Sequence, residues 1–425
     1  MKSDLARSSF RTGGVLVLRL FSLAASLVLT TRILGPVEYG AYVATASLAV
    51  VLGIIPNLGS GYLLMARASK EVDAAGDTWR YGWPLTLVIG SVLGGLFVIT
   101  ASALTSGAIG WLSLTVMAAA ELILIPLVYL LGFLLQAGHR VATGQLVTWM
   151  PIGFRVAAAS ACLINPRWHG IDAFIVSQAL GALFGLGCAL GLTSRLVALP
   201  WLPRPPTRGE LTKGASYAAM HVVSANPAEV DKILAPILLG EHLAGIYSAA
   251  SRVMGAMITP IAAVLLASQP RLFAHAGEPT ADGHRLLIAL ARLAAILGVI
   301  SMAILAACAP LVTLLFGASY AETAALLPWT AAAVPFLCLR LAAGTVLVAL
   351  GKPLERLTFE LCGILLLIPL LWIGAHAGNI VGMTLGLTIA EASMAGTGWM
   401  RIRQIERHTL RMAQNTQGAS GSGSP

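Results

Sequence analysis

The stretch RILGPVEYGAYVATAS, Arg32 to Ser47, interrupts two long apolar runs, and a related string, PILLGEHLAGIYSAAS, appears at Pro236 to Ser251. Aligned without a gap, Leu34, Gly35, Gly40, Tyr42 and Ala44 fall on Leu239, Gly240, Gly245, Tyr247 and Ala249, each 205 positions later. The same offset carries Arg80 onto Arg285. Agreement at a second place predicts an internal duplication. Within each copy the glycines allow a tight reversal, and Pro36 keeps the preceding helix from continuing. Gly35, Gly40 and Tyr42, with Gly240, Gly245 and Tyr247, are therefore expected to build a pair of equivalent structural hairpins.

The runs on either side set the class. Of the 425 residues, 57% are hydrophobic and only 11% charged, and the mean hydropathy is +0.83, far from the composition of a water-soluble domain. The expected fold class is an all-α polytopic membrane protein. About twelve stretches are long enough to cross a ~30 Å hydrocarbon core as helices. They lie near 13–34, 40–64, 82–104, 111–135, 144–164, 171–193, 214–239, 246–268, 286–308, 325–349, 357–375 and 380–400. The first run follows Lys2, Arg7 and Arg11, but Arg19 breaks its apolar core, so it reads as a retained helix rather than a cleaved signal.

Lys and Arg gather on one side of these spans, at Lys2, Arg7, Arg11, Arg67, Lys70, Arg80, Arg140, Arg195, Arg204, Arg208, Lys213, Arg271, Arg285, Lys352, Arg356, Arg401, Arg403, Arg407 and Arg411. Arg32 and Arg167 lie on the other. Cytoplasmic loops retain basic residues, so both termini are expected in the cytoplasm and the hairpin tips outside. Topology thus accounts for the net charge of +9, and no soluble basic domain is left over for nucleic acid. The five cysteines are scattered through the spans, which suggests neither a disulfide framework nor a metal site.

Six spans per copy give both halves one orientation, as in transporters built from parallel repeats. The expected division is an N-terminal lobe over 1–200, a cytoplasmic linker over 201–213, a C-terminal lobe over 214–400, and a largely disordered tail over 401–425. In the first helix Thr12, Arg19, Ser22, Ser26 and Thr30 share one stripe, and Tyr217, His221, Ser224 and Asp231 do so in the seventh. The repeat offset matches Arg19 to Ser224 and Ser26 to Asp231. Two equivalent polar faces avoid lipid by facing a central cleft; alternatively, the hydroxyls bond their own helix backbone.

Charges inside the expected spans are Arg19, Arg155, Lys232, Arg252, Arg292 and Arg340, with Glu121, Glu229, Asp231, Glu360 and Glu391. Each costs at least ~2.5 kcal/mol at a helix centre unless paired or wetted. Lys232, Glu229 and Arg292 are placed where they can snorkel, and Arg340 has Glu360 or Glu391 as a possible partner. A guanidinium holds phosphate oxygens bidentately and stays ionised when partly desolvated, so Arg19, Arg155, Arg252 and Arg340 point to an anionic headgroup. Asp231, then Glu121, are the candidates for binding and releasing a proton or Na⁺. Asn226-Pro227 lies just before Asp231 and can kink its helix. Phosphate-loop, HExxH and GxSxG motifs are absent and the outer loops are short, so the chain reads as a transporter with no cofactor and no ATP site.

The Arg32–Ser47 hairpin, followed by GSGYLLMAR, resembles the first hairpin of the polysaccharide-biosynthesis (Wzx-like) lipid-linked oligosaccharide flippases. EVDKILAPILLGEHLAGIYSAASRV resembles that family's mid-chain pattern of an Asp-Lys pair, here Asp231 and Lys232, a Leu-Gly turn and a Gly-x-Tyr-x-x-Ala step. The resemblance implies membership of the superfamily that also holds the lipid II flippases and the multidrug and toxin extruders. It implies two six-helix lobes that carry an undecaprenyl-pyrophosphate glycan across a bacterial inner membrane, with cleft arginines on the headgroup. Partners would be that glycan lipid, membrane lipids, H⁺ or Na⁺, and a polysaccharide polymerase with its chain-length regulator, around a monomeric flippase. A dense arginine cluster is missing from the first two helices, which argues against lipid II. A cation-coupled drug extruder shares the plan but is expected to favour acidic and aromatic cavity residues. A major-facilitator transporter is disfavoured because MARASKEVDAAGDTWRYG lacks its basic loop motif, and a glycan polymerase or ligase by the short loops.

Overall fold

The computed structural model describes residues 2–68, 74–165, 168–225, 227–259, 261–262, 264–265, 268, 272 and 281–421. Lys70, Arg167, Asn226 and Arg271 lie outside the described residues, as do the side chains of Lys2, Arg7, Arg67, His221, Ser224, Pro227 and Arg411.

Among the described residues the chain is built from helices. They are α1 (Lys2–Gly53), α2 (Ser60–Ala68), α3 (Ala74–Leu104), α4 (Trp111–Ala119), a π-turn (Ala120–Leu124), α5 (Ile125–Ala137), α6 (Val141–Ile164), α7 (Ile171–Leu196), α8 (Arg208–Ala225), α9 (Pro227–Leu239) and α10 (Glu241–Ala256). After these come α11 (Ala281–Ala307), α12 (Ala309–Phe316), α13 (Ala321–Ala331), α14 (Val334–Ala349) and α15 (Pro353–Gly421). Seven are long and apolar enough to cross a membrane, or eight if the bent pair Ala318–Ala331 and Val334–Ala349, angled at 51°, is one span. That is fewer than the expected twelve, and among the described residues part of the difference has a physical reason: α1 and α15 each run through two expected spans. Their breaks fall at Gly35 and at Gly378–Asn379, where the backbone leaves helical geometry. This is a multi-pass, all-helical membrane fold.

The chain divides into two compact units, 1–245 and 246–425. The expected division put the boundary at 201–213. The contacts place α8 and α9 with the first unit, since α9 lies along α1 and α8 against α2. Gly59 and Gly214 make the second approach possible, because a Cβ on either would meet backbone of the other's segment.

In the first unit a core of Leu64, Trp79, Leu131, Leu134, Leu135, Val147 and Leu186 joins α2, α3, α5, α6 and α7. The segment leading into α8 is fastened to the start of α3. Arg204 N–H donates to the Arg80 carbonyl (3.1 Å), Arg80 Nε donates to the Leu202 carbonyl (3.0 Å), and Trp201 meets Trp79 edge-on at 5.8 Å. Thr207 and Glu210 form a reciprocal cap at the start of α8: Thr207 N–H donates to Glu210 Oε2 (2.8 Å) and Glu210 N–H to Thr207 Oγ1 (3.3 Å). Glu210 Oε1 also pairs with Arg204 Nη2 at 2.8 Å, and that hydrogen bond holds the Arg204 guanidinium above its ordinary pKa. Glu210→Ala is therefore expected to lower stability by about 1–2 kcal/mol, read as a lower melting temperature in detergent.

In the second unit α14 packs between α11 and α15. The two arms of α15 fold back on each other from Gly378–Asn379. Near the bend, the space for a Cβ on Gly374 is filled by Gly382 backbone, and that on Gly386 by Leu370 backbone. Further out, Gly363 lies against the Met394 side chain. The helix then continues through Gly421, into the stretch that composition alone marks as a tail. Alternating long polar and apolar residues from Arg401 to Ala413 are compatible with helix throughout.

Candidate functional site

The duplicated hairpins meet the structure at four glycines. Gly35 and Gly240, equivalent under the repeat, have φ of +65° and +77°, a region that favours glycine. Gly40 and Gly245, also equivalent, are places of close approach. A Cβ on Gly40 would meet the Glu241 carbonyl and the Gly245 nitrogen, and one on Gly245 would meet the Pro36 carbonyl. The two hairpins are thus pressed backbone to backbone. Tyr42 meets Phe174 edge-on at 5.3 Å, while its counterpart Tyr247 is fully buried.

Behind Tyr42 two of the predicted charges come together. Arg155 on α6 lies 2.7 Å from Glu121 on the π-turn, with about a fifth of each side chain exposed. Its partner is two helices away, where no sequence spacing shows it. The π-turn inserts an extra residue between α4 and α5, a feature frequent at functional sites. Gly53 comes within 3.2 Å of the Glu121 carbonyl at its Cβ position. Gln178 on α7 completes the group: its Nε2 donates to the Arg155 carbonyl (3.2 Å) and its own carbonyl accepts from Arg155 Nε (3.3 Å). Tyr42, Glu121, Arg155 and Gln178 line one small cavity in the first unit.

A second group lies on α9. Asp231 and Lys232 are both buried, with Lys232 Nζ 3.2 Å from Asp231 Oδ1. Two residues earlier, Glu229 Oε2 accepts from Ser47 Oγ of α1 (2.6 Å). Lys232 is buried beside an acid rather than snorkelling, and Glu229 ties α9 to α1.

The remaining candidates separate. Arg340 Nε is 2.6 Å from Glu391 Oε2 in the second unit, with side chains 4% and 1% exposed. Arg356 pairs with Glu360 at 3.1 Å. Arg252 is half-buried on α10. Arg19, half-buried on α1, makes no ion pair with a described residue. Along its stripe the hydroxyls turn to backbone, with Ser22 donating to the Leu18 carbonyl (2.9 Å) and Thr30 to the Ser26 carbonyl (2.7 Å). Trp149 Nε1 donates to Ser22 Oγ (3.0 Å).

Sequence reasoning missed Gln178 and Asn57. Asn57 sits in the break between α1 and α2. It donates to the Pro126 carbonyl (2.9 Å) and accepts from Thr86 Oγ1 (2.7 Å), joining three segments. The signal was present as a lone amide after proline in an apolar run, IIPNLG.

No protein-family model matches the chain, and no curated protein matches it in sequence. Solved structures do match, over nearly the whole length. One is a multidrug resistance MATE family transporter of the MOP superfamily in an inward-facing conformation, with TM-score 0.77 at 14% identity, covering 92% of this chain and 96% of that one. The chain shares the fold of that transporter. The Vibrio cholerae MATE transporter VcmN in its bent form gives a TM-score of 0.57 at 16% identity, covering 96% and 98%. A MOP superfamily transporter from Pyrococcus furiosus, described as having a binding pocket of reverse polarity that suggests a different function, gives 0.64 at 13% identity, covering 96% and 95%.

Proposed function

We propose that this chain is a secondary-active, alternating-access exporter of the bacterial inner membrane, with a lipid-linked oligosaccharide as cargo. The fold supports the exporter class: MOP transporters match it end to end, and the charges it buries lie on helices. The sequence supports the cargo, through the resemblance of both hairpin regions, Arg32–Ser47 and Pro236–Ser251, to the oligosaccharide flippases. Arg19 is the first candidate for the pyrophosphate, since no described acid neutralises it, and Arg252 the second. Arg155 and Arg340 can serve an anionic headgroup only by exchanging Glu121 and Glu391 for it. Asp231 is the candidate coupling residue, with Glu121 next; loading a cation on Asp231 would compete with Lys232. Cytoplasmic termini, the monomeric state and a partner polymerase with its chain-length regulator belong to the same proposal.

Cation-coupled multidrug extrusion is the second reading, and the comparisons back it better than the glycan lipid, because MATE transporters recur among the matched structures. Local neutralisation of Arg155 and Arg340 also favours it, since a paired arginine offers little field to an anion. The Pyrococcus protein shows that one fold carries pockets of different polarity.

One experiment separates the readings. The full chain is reconstituted in liposomes with a labelled polyprenyl-pyrophosphate oligosaccharide, with a cationic drug as competitor. Lipid movement that ignores the drug and falls at least tenfold in Arg19→Ala is the expected result. Gradient-driven drug uptake without lipid movement establishes the second reading. If Asp231→Asn leaves the dependence on the ion gradient unchanged, coupling does not run through Asp231.

A further inference from the structure

The second unit contains a groove set apart from the charge clusters described above. It has a volume of about 280 Å³ and runs between the two arms of α15, lined by residues from Glu355 to Leu366 on one arm and from Ser393 to Gln404 on the other. Eleven residue steps of helix make it about 16 Å long. That is close to the depth of one leaflet's hydrocarbon, half of a ~30 Å core.

Its two ends differ in chemistry. The inner end is walled by Cys362, Leu366 and Met394, with Phe359 midway and Met400 nearer the mouth. The hydroxyls along it are already used, with Thr358 donating to the Leu354 carbonyl (2.8 Å), Ser393 to Ile389 (2.8 Å) and Thr397 to Ser393 (2.9 Å). These walls suit hydrocarbon and offer little to a sugar. At the outer end Arg401 stands 3.7 Å from Glu355, with the two side chains 53% and 39% exposed. So loose a surface pair contributes little and yields easily to a better anion. Arg401 Nη1 also donates to Gln404 Oε1 (3.4 Å), and Arg403, Glu406 and Arg407 follow on the same helix, so the stretch beyond the mouth is net basic.

We propose that this groove binds an anionic phospholipid of the bilayer, one acyl chain between the arms of α15 and the phosphate held by Arg401, the basic residue of its lining. A guanidinium grips phosphate oxygens bidentately, and basic pockets between helices at the cytoplasmic surface select acidic headgroups. A zwitterionic lipid fills the same groove without that charge complement.

Native mass spectrometry of the delipidated full-length protein, titrated separately with phosphatidylglycerol, phosphatidylcholine and undecaprenyl phosphate, tests this. The expected result is at least fivefold tighter binding of phosphatidylglycerol than of phosphatidylcholine. Arg401→Gln removes that preference, and Arg401→Lys keeps part of it. Cys362 is exposed in the groove, and Cys362→Phe is expected to weaken both phospholipids by filling it. Equal binding of the two by wild type, or a preference that survives Arg401→Gln, overturns the proposal. So does undecaprenyl phosphate binding more tightly than phosphatidylglycerol, which would assign the groove to the cargo's tail. None of these outcomes depends on what the protein transports.

Discussion

Replacing Glu391 by alanine is expected to lower stability by about 3–5 kcal/mol, because it strands a buried guanidinium. Arg340 and Glu391 are 4% and 1% exposed and 2.6 Å apart, so the lone charge has little water to turn to. Arg340→Ala strands the carboxylate and should cost a similar amount. The informative variant removes both charges. Arg340→Met with Glu391→Leu keeps the volume, and such replacements are often neutral or stabilising; its melting temperature in detergent should lie near or above wild type. Transport by this folded double variant then reports on role. Retained transport is expected, since the pair is complete without cargo. Loss of transport in the folded variant would return Arg340 to the headgroup site.

Gly245→Val is expected to destabilise the chain by about 3 kcal/mol or more, at the upper end of what overpacking costs. The new Cβ would fall on the Pro36 carbonyl, which belongs to the opposite hairpin's backbone and cannot rotate away like a side-chain end. The valine variant should therefore give little monodisperse protein on size exclusion. Gly240→Ala provides the contrast. Nothing lies within 4 Å of a Cβ there, so the only cost is the positive φ, about 1–2 kcal/mol. Similar yields from the two variants would show that the hairpins do not depend on their close approach.

These variants also mark how far the chain could be read without coordinates. Composition sufficed for an all-helical membrane fold, because no soluble core can absorb so much apolar surface. The 205-residue repeat located both hairpins and paired Gly35 with Gly240, and the structure finds both at positive φ. Local rules reach this far because helix length, glycine turns and duplication are all written within a few tens of residues.

Pairing was not legible in that way. No acid lies one turn from Arg155 on its own helix, yet Glu121 reaches it from another helix through a π-turn that no periodicity announces. Glu391 was one of two possible partners for Arg340, and only the packing of α14 on α15 chose between them. The same holds for Glu229 and Ser47, 182 residues apart. By itself the sequence determined the membrane fold, the repeated hairpin motif and which charges fall within membrane-length apolar runs, since each follows from local hydrophobicity and spacing. Only the tertiary structure decided which charges neutralise each other, because electrostatic energy in a low-dielectric interior depends on distances of a few ångströms between helices far apart along the chain.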